Sequence, residues 1–330
     1  MDYRNLGRAG VKVSPLCLGT MMFGRWGNPD HAESIQIIHR ALDAGINFVD
    51  TANIYSQGES EEIVGKALAG RRQEVVLATK VWGPMGPGPN QRGLSRKAIQ
   101  EQCEASLRRL GTDVIDLYQI HRPDPETPWE ETLAALDDLV RQGKVRYLGC
   151  STNHQEVAGQ KRLAAWELVE SLWIAERHGW ERFVALQPPY SMLRRTMEAE
   201  LFPACQRFGL GTLVWSPLEG GFLTGKYRLG AERPQDSPRA QNWVGDTQEP
   251  RFVPRLTAVE AFLALAAEKG VELAELALAW TLAHPAVTST IIGPRTAEQL
   301  AGNLRALEVK LTADDLARVD AIVAPGTSVL

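Results

Sequence analysis

Residues 45–55 read GINFVDTANIY, and this stretch decides how the rest of the chain is interpreted. The apolar run from Ile46 to Val49 is typical of a buried strand, and it ends on the carboxylate of Asp50. A phenol, Tyr55, follows five residues later. A charged group at the end of a core strand requires a partner, so the stretch points to a polar site where a strand leaves the core.

Short apolar runs rich in β-branched residues alternate with amphipathic helical stretches along the whole chain. They predict eight strands, at residues 15–20, 46–50, 74–80, 114–121, 145–151, 182–187, 211–216 and 287–293. Eight β–α units with right-handed crossovers close into a parallel barrel. An open doubly wound sheet is the alternative, but it usually carries G-x-G-x-x-G after its first strand, and LGTMMFGRWG (18–27) does not match. The sequence predicts an α/β fold, a (β/α)8 TIM barrel forming a single domain over residues 1–330.

Several segments are additional to a minimal barrel. Residues 1–13 predict an N-terminal hairpin that turns near Gly7–Gly10 and closes the bottom of the barrel. Three long loops, at residues 82–93, 121–128 and 228–255, each follow a strand. Loops after strands lie on the C-terminal face, where barrel enzymes keep their active sites. We therefore expect the functional site on that face.

Composition excludes some classes of partner. The 330-residue chain has a net charge of -4 and 44% hydrophobic residues, which argues against nucleic acid as a partner. The four cysteines are scattered without a C-x-x-C pair, which is typical of a reducing compartment rather than of disulfides or a metal site. No signal peptide or bilayer-spanning stretch is recognised. We expect a cytoplasmic protein without a metal and without membrane insertion, either a monomer or a homo-oligomer.

Four polar residues are predicted on one rim of the barrel. Asp50, Lys80 and His121 end three consecutive strands, and Tyr55 follows the first of these. A lysine ammonium beside a phenol lowers the phenol's pKa from about 10, and Asp50 would keep Lys80 charged. The tyrosine can then protonate a carbonyl oxygen, while His121 orients that carbonyl as a neutral donor. Each residue alone also fits a common structural role, such as a cap, an ion pair or packing, but four on adjacent positions favour a site.

These residues resemble the Asp–Tyr–Lys–His tetrad of the aldo-keto reductases, and the resemblance covers nearly the whole chain. It is closest to bacterial members similar to the β-subunits of voltage-gated potassium channels, through WSPLEGGFLTGKY (215–227) and IIGPRTAEQLAGNL (291–304). The resemblance implies a (β/α)8 barrel that binds NADPH without a Rossmann domain. It also implies an NADP-dependent carbonyl reductase or alcohol dehydrogenase, in which Tyr55 donates the proton to an aldehyde or ketone.

The resemblance also implies the cofactor contacts. Trp215 would stack on the nicotinamide, and Ser151 and Gln187 would hydrogen-bond its carboxamide. Relatives usually carry Asn or Arg at the next position, where this chain has Thr152 followed by Asn153, so either of these two would complete the carboxamide contacts. The pyrophosphate would be wrapped by Ser216, Pro217, Leu218, Gly220 and Lys226, with Arg239 as a clamp. The adenosine phosphate would meet Arg295, Gln299 and Asn303, and Arg295 before a helix would favour NADPH over NADH.

Parts of the cofactor site also fit purely structural roles. Trp215 can be a core residue, and Thr296 with Gln299 also fits a helix capping box. The segment GGFLTGKY (220–227) satisfies the first part of a P-loop, but Tyr227 stands where Ser or Thr would hold magnesium, so an ATP site is rejected.

The substrate is the least determined part of the prediction. Phe23, Trp26, Trp82 and Met85 lie on rim loops and are candidates for the pocket wall. Apolar and aromatic walls suggest a small-molecule carbonyl substrate with a hydrophobic or cyclic body. Two other functions stay open: a lyase that forms a Schiff base on Lys80, and a cofactor-sensing partner subunit with little catalysis.

Overall fold

A computed structural model describes residues 1–153, 162–231, 246–247 and 249–330. Eight parallel strands form a closed barrel, and their bounds are β3 Leu16–Gly19, β4 Phe48–Asp50, β5 Val76–Val81, β6 Ile115–Ile120, β7 Val145–Ser151, β8 Phe183–Gln187, β9 Gly211–Val214 and β10 Val287–Ile292. Around the barrel they follow the order β10-β3-β4-β5-β6-β7-β8-β9. Each lies within one of the predicted runs or extends past it by one residue. The predicted (β/α)8 barrel is confirmed.

The first two strands form the predicted N-terminal hairpin. Strands β1 (Arg4–Asn5) and β2 (Lys12–Val13) pair antiparallel. Leu6, between them, is fully buried and packs with the apolar residues that fill the barrel interior. Gly7 has a φ of +58°, and a Cβ there would lie 2.4 Å from the backbone nitrogen of Gly211 at the start of β9. Only glycine permits this approach, so the hairpin closes the bottom of the barrel.

Helices cover the outside of the barrel. In the described residues they are α1 His31–Asp43, α2 Glu59–Ala67, α3 Arg96–Leu110, α4 Trp129–Arg141, α5 Ala165–His178, α6 Leu201–Phe208, α7 Val253–Lys269, α8 Leu273–Ala283, α9 Ala297–Arg305 and α10 Ala313–Ile322. Helix α10 packs on α7 outside the barrel, and α7 and α8 both lie between β9 and β10. Among these helices, none has the length and apolarity needed to cross a membrane.

The barrel interior changes from apolar to polar toward the C-terminal ends of the strands. Side chains two apart on a strand face the same side, so Phe48 and Asp50 on β4 both point inward. The lower interior is packed by Leu6, Val13, Cys17, Phe48, Val76, Ala78, Leu117, Ala185 and Leu213. Asp50, Lys80, Gln119 and Gln187 each come two residues after one of these and are also buried. The interior therefore ends in a polar layer directly below the long loops.

Candidate active site

A buried ion pair forms the centre of the polar layer. Lys80 is fully buried, and its ammonium contacts the Oδ1 of Asp50. It also donates to the backbone oxygen of Thr51 at 2.8 Å and to the hydroxyl of Tyr55 at 3.3 Å. Burial by itself would lower the pKa of Lys80, but Asp50 and Tyr55 together raise it above the usual value. Lys80 therefore stays charged next to the phenol.

Two glutamines hold the other oxygen of Asp50. The Nε2 atoms of Gln119 and Gln187 donate to Asp50 Oδ2 at 3.0 and 2.9 Å. The Gln187 Nε2 also lies 3.3 Å from the Oε1 of Gln119. With Lys80, these residues satisfy the carboxylate on both oxygens. The sequence prediction missed Gln119, although its position two residues before His121 marks it as inward-facing.

The amide nitrogen of Gln187 is thus already used inside the site. The sequence assigned this side chain to a nicotinamide carboxamide. In the structure its Nε2 donates to Asp50, because β4 and β8 face each other across the barrel. Any further contact of Gln187 must use its amide oxygen.

Backbone geometry fixes Tyr55 above the ammonium. Ser56 and Gln57 have φ values of +48° and +59°, and a non-glycine residue in this region costs roughly 1–2 kcal/mol. The buried Ser56 hydroxyl donates to the backbone oxygen of Phe23 and accepts from the backbone nitrogen of Trp26, each at 3.2 Å. These bonds hold the strained turn, which is a common feature of functional sites.

The pKa of Tyr55 is opposite in direction to the sequence prediction. Burial raises the pKa of the Tyr55 phenol above 10, and the opposing effect of Lys80 does not cancel it. The prediction considered the ammonium but not the depth of the phenol, and desolvation disfavours the charged phenolate. Tyr55 therefore carries its proton at neutral pH and is available as a proton donor.

His121 stands beside Tyr55 as a neutral imidazole. Its ring centroid lies 5.7 Å from that of Tyr55, edge to face. Burial lowers the pKa of His121 well below 6.5, and the positive charges of Lys80 and Arg122 lower it further. A neutral imidazole can donate one hydrogen bond without adding charge.

The low pKa of His121 predicts a loss of stability in acid. Protons bind the unfolded chain more readily below pH 6.5, so the free energy of unfolding falls as pH drops, by at most about 1.4 kcal/mol per pH unit. We expect His121→Asn to lose less stability than wild type between pH 7 and pH 5 in urea unfolding, because it lacks this group. The same change at the exposed His178 is the control. Equal pH dependence of wild type and His121→Asn would contradict the assignment.

One large cavity joins this site to the loops of the C-terminal face. Its volume is about 1900 Å³, and Asp50, Tyr55 and His121 line one end. The residues for which the resemblance implied cofactor contacts also line it: Ser151, Thr152, Gln187, Trp215, Ser216, Pro217, Leu218, Gly220, Lys226, Arg295, Gln299 and Asn303. Lys80 lies behind Asp50 and Tyr55, buried below the surface. The structure therefore brings the predicted residues to one continuous space.

Two of the four predicted pocket residues lie elsewhere. Trp26 and Trp82 line the cavity, and the Trp26 ring is 6.2 Å from that of Tyr55. Phe23 does not reach the cavity surface: it is fully buried in the core between barrel and helices. Met85 is half-buried, bonded through its nitrogen to Gln91, and also lies outside the lining. Both expectations are corrected, since the folding of a loop decides which side chains face inward.

The loop after β9 contains several residues with positive φ. Ser216, Glu219, Gly220 and Gly221 all have positive φ values, of 56°, 43°, 66° and 98°. Such turns direct successive N–H groups to one side. A Cβ at Gly220 would meet nothing within 4 Å, whereas one at Gly221 would lie 2.7 Å from the Cε of Lys226. The loop thus lets the lysine lie against it, while the N–H groups of Glu219 and Gly221 already donate to the oxygens of Ser216 and Leu218, each at 2.9 Å.

Around Trp215, the structure separates Thr152 from Asn153. The Trp215 Nε1 donates to the backbone oxygen of Thr152 at 3.3 Å. The buried Thr152 hydroxyl accepts from the nitrogen of Leu163 at 2.9 Å, while Asn153 is half-exposed at the cavity. Ser151 donates to the backbone oxygen of Gln187 at 2.8 Å. Thr152 and Asn153 both line the cavity, and the Thr152 hydroxyl is already bonded to the backbone.

The far end of the cavity lies at the N-terminus of α9. Thr296 caps the helix by accepting from Gln299 N, and the Gln299 Oε1 accepts from Arg295 N at 2.8 Å. The Thr296 half of the expected capping box is therefore present, but the Gln299 side chain bonds Arg295 N and not the backbone nitrogen of Thr296. Among the described residues, no carboxylate lies in ion-pair range of the Arg295 guanidinium. Arg239 lies outside the described residues.

A further arginine, Arg255, which the sequence prediction did not include, also lines the cavity. The guanidinium carbon of Arg255 lies 4.6 Å from the ring centroid of Phe222 and 5.1 Å from that of Phe252. Its buried Nε has no hydrogen-bond partner among the described residues. The signal available in the sequence was weak, because an arginine after a long loop is usually solvated.

The fold and the site together are those of a barrel enzyme, with polar groups gathered where the strands end. The model of the Aldo/keto reductase family matches residues 15–324, and the chain belongs to that family. It is 43% identical to uncharacterized oxidoreductase YrpG of Bacillus subtilis, over 94% of this chain and 92% of that protein. A probable voltage-gated potassium channel subunit beta of Oryza sativa is 38% identical, over 98% and 97%. Versiconal hemiacetal acetate reductase of Aspergillus parasiticus is 34% identical, over 96% and 95%.

Family membership establishes the general chemistry. The chain is an oxidoreductase of a family that uses nicotinamide cofactors, and the names of its relatives support carbonyl reduction in general.

Proposed function

We propose that the protein reduces an aldehyde or ketone to an alcohol with NADPH, and that Tyr55 is the proton donor. The contact of the Tyr55 hydroxyl with the Lys80 ammonium, at the wall of the cavity, carries this proposal. When bound, NADPH would supply the hydride that reduces the carbonyl carbon. We expect the enzyme in the cytoplasm, acting as one catalytic domain per chain.

Each of the four polar residues has a separate role in the reaction at the carbonyl oxygen. Tyr55 gives its proton to the oxygen as negative charge builds there, which is worth roughly 10²- to 10⁴-fold in rate. Lys80, charged by its pairing with Asp50, stabilises the phenolate that remains. His121 donates a hydrogen bond that orients the oxygen. Gln119 holds Asp50 in position from the second oxygen.

The remaining cavity residues fit the parts of the cofactor. Trp215 offers a flat face for the nicotinamide, and Ser151, Asn153 and the Gln187 oxygen suit its carboxamide. The ammonium of Lys226 and the cavity-lining turn at residues 216–221 suit a pyrophosphate. Arg295 and the α9 N-terminus suit the 2′-phosphate, and Arg255 adds positive charge to the lining of the same cavity.

Removing the Arg295 side chain should weaken the binding of NADPH but not the binding of NADH. We expect Arg295→Met to weaken NADPH binding by about 10- to 100-fold, because charge-assisted bonds to the 2′-phosphate are lost, and to change NADH binding little. Titration of tryptophan fluorescence with each cofactor measures both. Arg305→Met is the matched control, since Arg305 at the end of α9 is already paired with Glu275. Equal weakening of NADPH and NADH would remove Arg295 from the 2′-phosphate.

The Schiff-base alternative is not favoured by the state of Lys80. A nucleophilic lysine must lose its proton, but Asp50 and Tyr55 raise the pKa of Lys80. Its ammonium is also bonded to Asp50, Thr51 and Tyr55, so no hydrogen is directed into the cavity. The channel-subunit name of a relative does not oppose catalysis, because the complete catalytic set is retained here.

A substrate panel tests the proposed reaction. Purified protein is mixed with NADPH and a series of aromatic and aliphatic aldehydes and ketones, and the absorbance of NADPH is followed. We expect turnover with at least one class, faster with NADPH than with NADH. Oxidation of neither cofactor by any carbonyl compound would contradict the proposal.

A further inference from the structure

Arg122 is a cavity-lining cation for which the proposed reaction has no role. It follows His121 directly after β6 and lines the end of the cavity that contains Tyr55. Its guanidinium carbon lies 5.3 Å from the ring centroid of Trp82. The backbone nitrogen of His121 donates to the oxygen of Val81 at 2.9 Å, so Trp82 and Arg122 leave neighbouring strands side by side. Arg122 and Trp82 therefore form one wall of the substrate end.

Arg122 is partly withdrawn from water, and its contact with the Trp82 ring leaves one guanidinium nitrogen without a hydrogen-bond partner among the described residues. The side chain is half-buried, and its Nη1 is fully buried with no hydrogen-bond partner in the described part of the chain. No carboxylate of the described residues lies in ion-pair range. Desolvating an unpaired charge costs free energy. Such a cost is typical of a position where a ligand supplies the missing acceptor.

The carboxylates of Asp124 and Asp50 are already bound by other groups. Asp124, two residues away, accepts from Leu94 N at 2.8 Å, from Thr127 Oγ1 at 2.9 Å and from Glu126 N at 3.1 Å. Asp50 is bound by Lys80 and two glutamines. The other arginine of this end, Arg25, is bonded to Glu59 and to the backbone oxygen of Ser56. The substrate end thus holds one positive charge in excess, on Arg122.

From this arrangement we infer that Arg122 binds a carboxylate on the substrate, and that the preferred substrates are aromatic aldehydes or ketones bearing one. A guanidinium matches a carboxylate with two parallel hydrogen bonds. Trp82 beneath the guanidinium and Trp26 beside Tyr55 offer flat apolar surfaces for the ring that links carboxylate and carbonyl. The inference rests on the proposed carbonyl reduction and names its substrate class.

The carboxylate takes no part in the chemistry. The aldehyde accepts a hydride at carbon and the Tyr55 proton at oxygen, giving a primary alcohol, while NADPH becomes NADP⁺. The carboxylate stays unchanged on Arg122. Its role is to place the carbonyl at Tyr55 and His121.

Matched substrates test this inference. The probes are 3- and 4-formylbenzoate and their methyl esters, which differ from the acids mainly in charge. We expect wild-type kcat/KM to favour the acid over the ester for at least one isomer. Arg122→Met should reduce this acid-to-ester ratio by about 10- to 100-fold. Arg122→Lys should reduce it less, since lysine keeps the positive charge but cannot form the two parallel hydrogen bonds of a guanidinium.

Controls separate charge recognition from other effects. Arg25→Met removes a cation from the same end and should leave the ratio within about threefold. An unchanged ratio in Arg122→Met overturns the inference, and a shift of the pH–rate profile shared by acid and ester would instead make Arg122 a positioning residue for Tyr55. A second pair of substrates, glyceraldehyde 3-phosphate and glyceraldehyde, tests for a phosphate. If Arg122→Met lowers the kcat/KM preference for the phosphorylated substrate but leaves the acid-to-ester ratio unchanged, Arg122 binds a phosphate and the proposed carboxylate site is overturned.

The design also distinguishes failure of the inference from failure of the proposed function. Reduction of the esters by wild-type protein with no preference for the acids overturns the carboxylate site alone. If wild-type protein reduces neither acids nor esters nor any other carbonyl compound, the proposed reaction itself is contradicted. Retained NADPH binding by Arg122→Met shows that the variant is folded.

Discussion

Tyr55→Phe is expected to lower kcat for carbonyl reduction by about 10²- to 10⁴-fold while the Kd for NADPH stays unchanged. The substitution removes one oxygen, which lies 3.3 Å from the Lys80 ammonium at the cavity wall. The ring and its packing against His121 and Trp26 are retained. The proton of the alcohol product must then come from a poorer source. Steady-state kinetics and fluorescence titration with NADPH measure the two quantities.

Tyr118→Phe is the matched control for this experiment. Tyr118 is also fully buried, on β6, but its hydroxyl has no partner among the described residues and it packs in the core between barrel and helices. We expect Tyr118→Phe to keep the wild-type rate. A Tyr55→Phe enzyme as fast as this control would remove Tyr55 from the role of proton donor.

Lys80→Met should have a second large effect, on both rate and stability. Removing the ammonium leaves the buried Asp50 carboxylate without its counter-charge, which costs about 3–5 kcal/mol in the free energy of unfolding. It also removes the cation that stabilises the Tyr55 phenolate, so kcat should fall by about 10²-fold or more. Urea unfolding and steady-state kinetics measure the two losses. Lys97→Met, which breaks an exposed pair with Glu101, should cost less than about 1 kcal/mol.

The double variant Asp50→Asn/Lys80→Met separates the two losses. Removing both charges eliminates the unpaired buried carboxylate, so most of the lost stability should return. Activity should not return, because the phenolate still lacks its cation. Recovery of activity together with stability would mean that Lys80 acts only as a structural partner of Asp50.

The barrel and its polar layer were predictable because both depend on the regular alternation of side chains along the strands. A run such as residues 74–80 shows its strand by composition, and the side chain at its end must lie on the C-terminal rim. Asp50, Lys80 and His121 could therefore be assigned to neighbouring positions from the sequence. The same alternation marks Gln119 as inward-facing, but nothing in the sequence says that it binds Asp50.

Loop conformation and burial depth were not predictable in the same way. Phe23 was expected at the pocket because its loop lies on the rim. The loop instead turns back on itself, with Gly24 N bonded to Asn28 O at 2.8 Å, and Phe23 enters the core. The pKa of Tyr55 was expected to be lowered because the sequence shows Lys80 but not the desolvation that opposes it.

Arg122 shows the same limit for recognition of substrate. In the sequence it is one of several arginines on loops, each of which is usually solvated or paired. Only the folded structure shows that Asp124 is occupied by the backbone of two loops and that the guanidinium lies over Trp82. A residue of this kind can be recognised only when the structure shows which neighbouring groups are already hydrogen-bonded to one another.

The most direct test of the proposed hydride and proton transfer follows one deuterium atom. NADPH deuterated at C4 of the nicotinamide is incubated with the protein and an aldehyde that the substrate panel identifies, and the alcohol is examined by mass spectrometry and NMR. We expect one deuterium on the carbinol carbon of the product, with the yield in a fixed time reduced about 100-fold or more in Tyr55→Phe. Alcohol without deuterium, or a borohydride-trapped adduct on Lys80 in place of the alcohol, would contradict this mechanism.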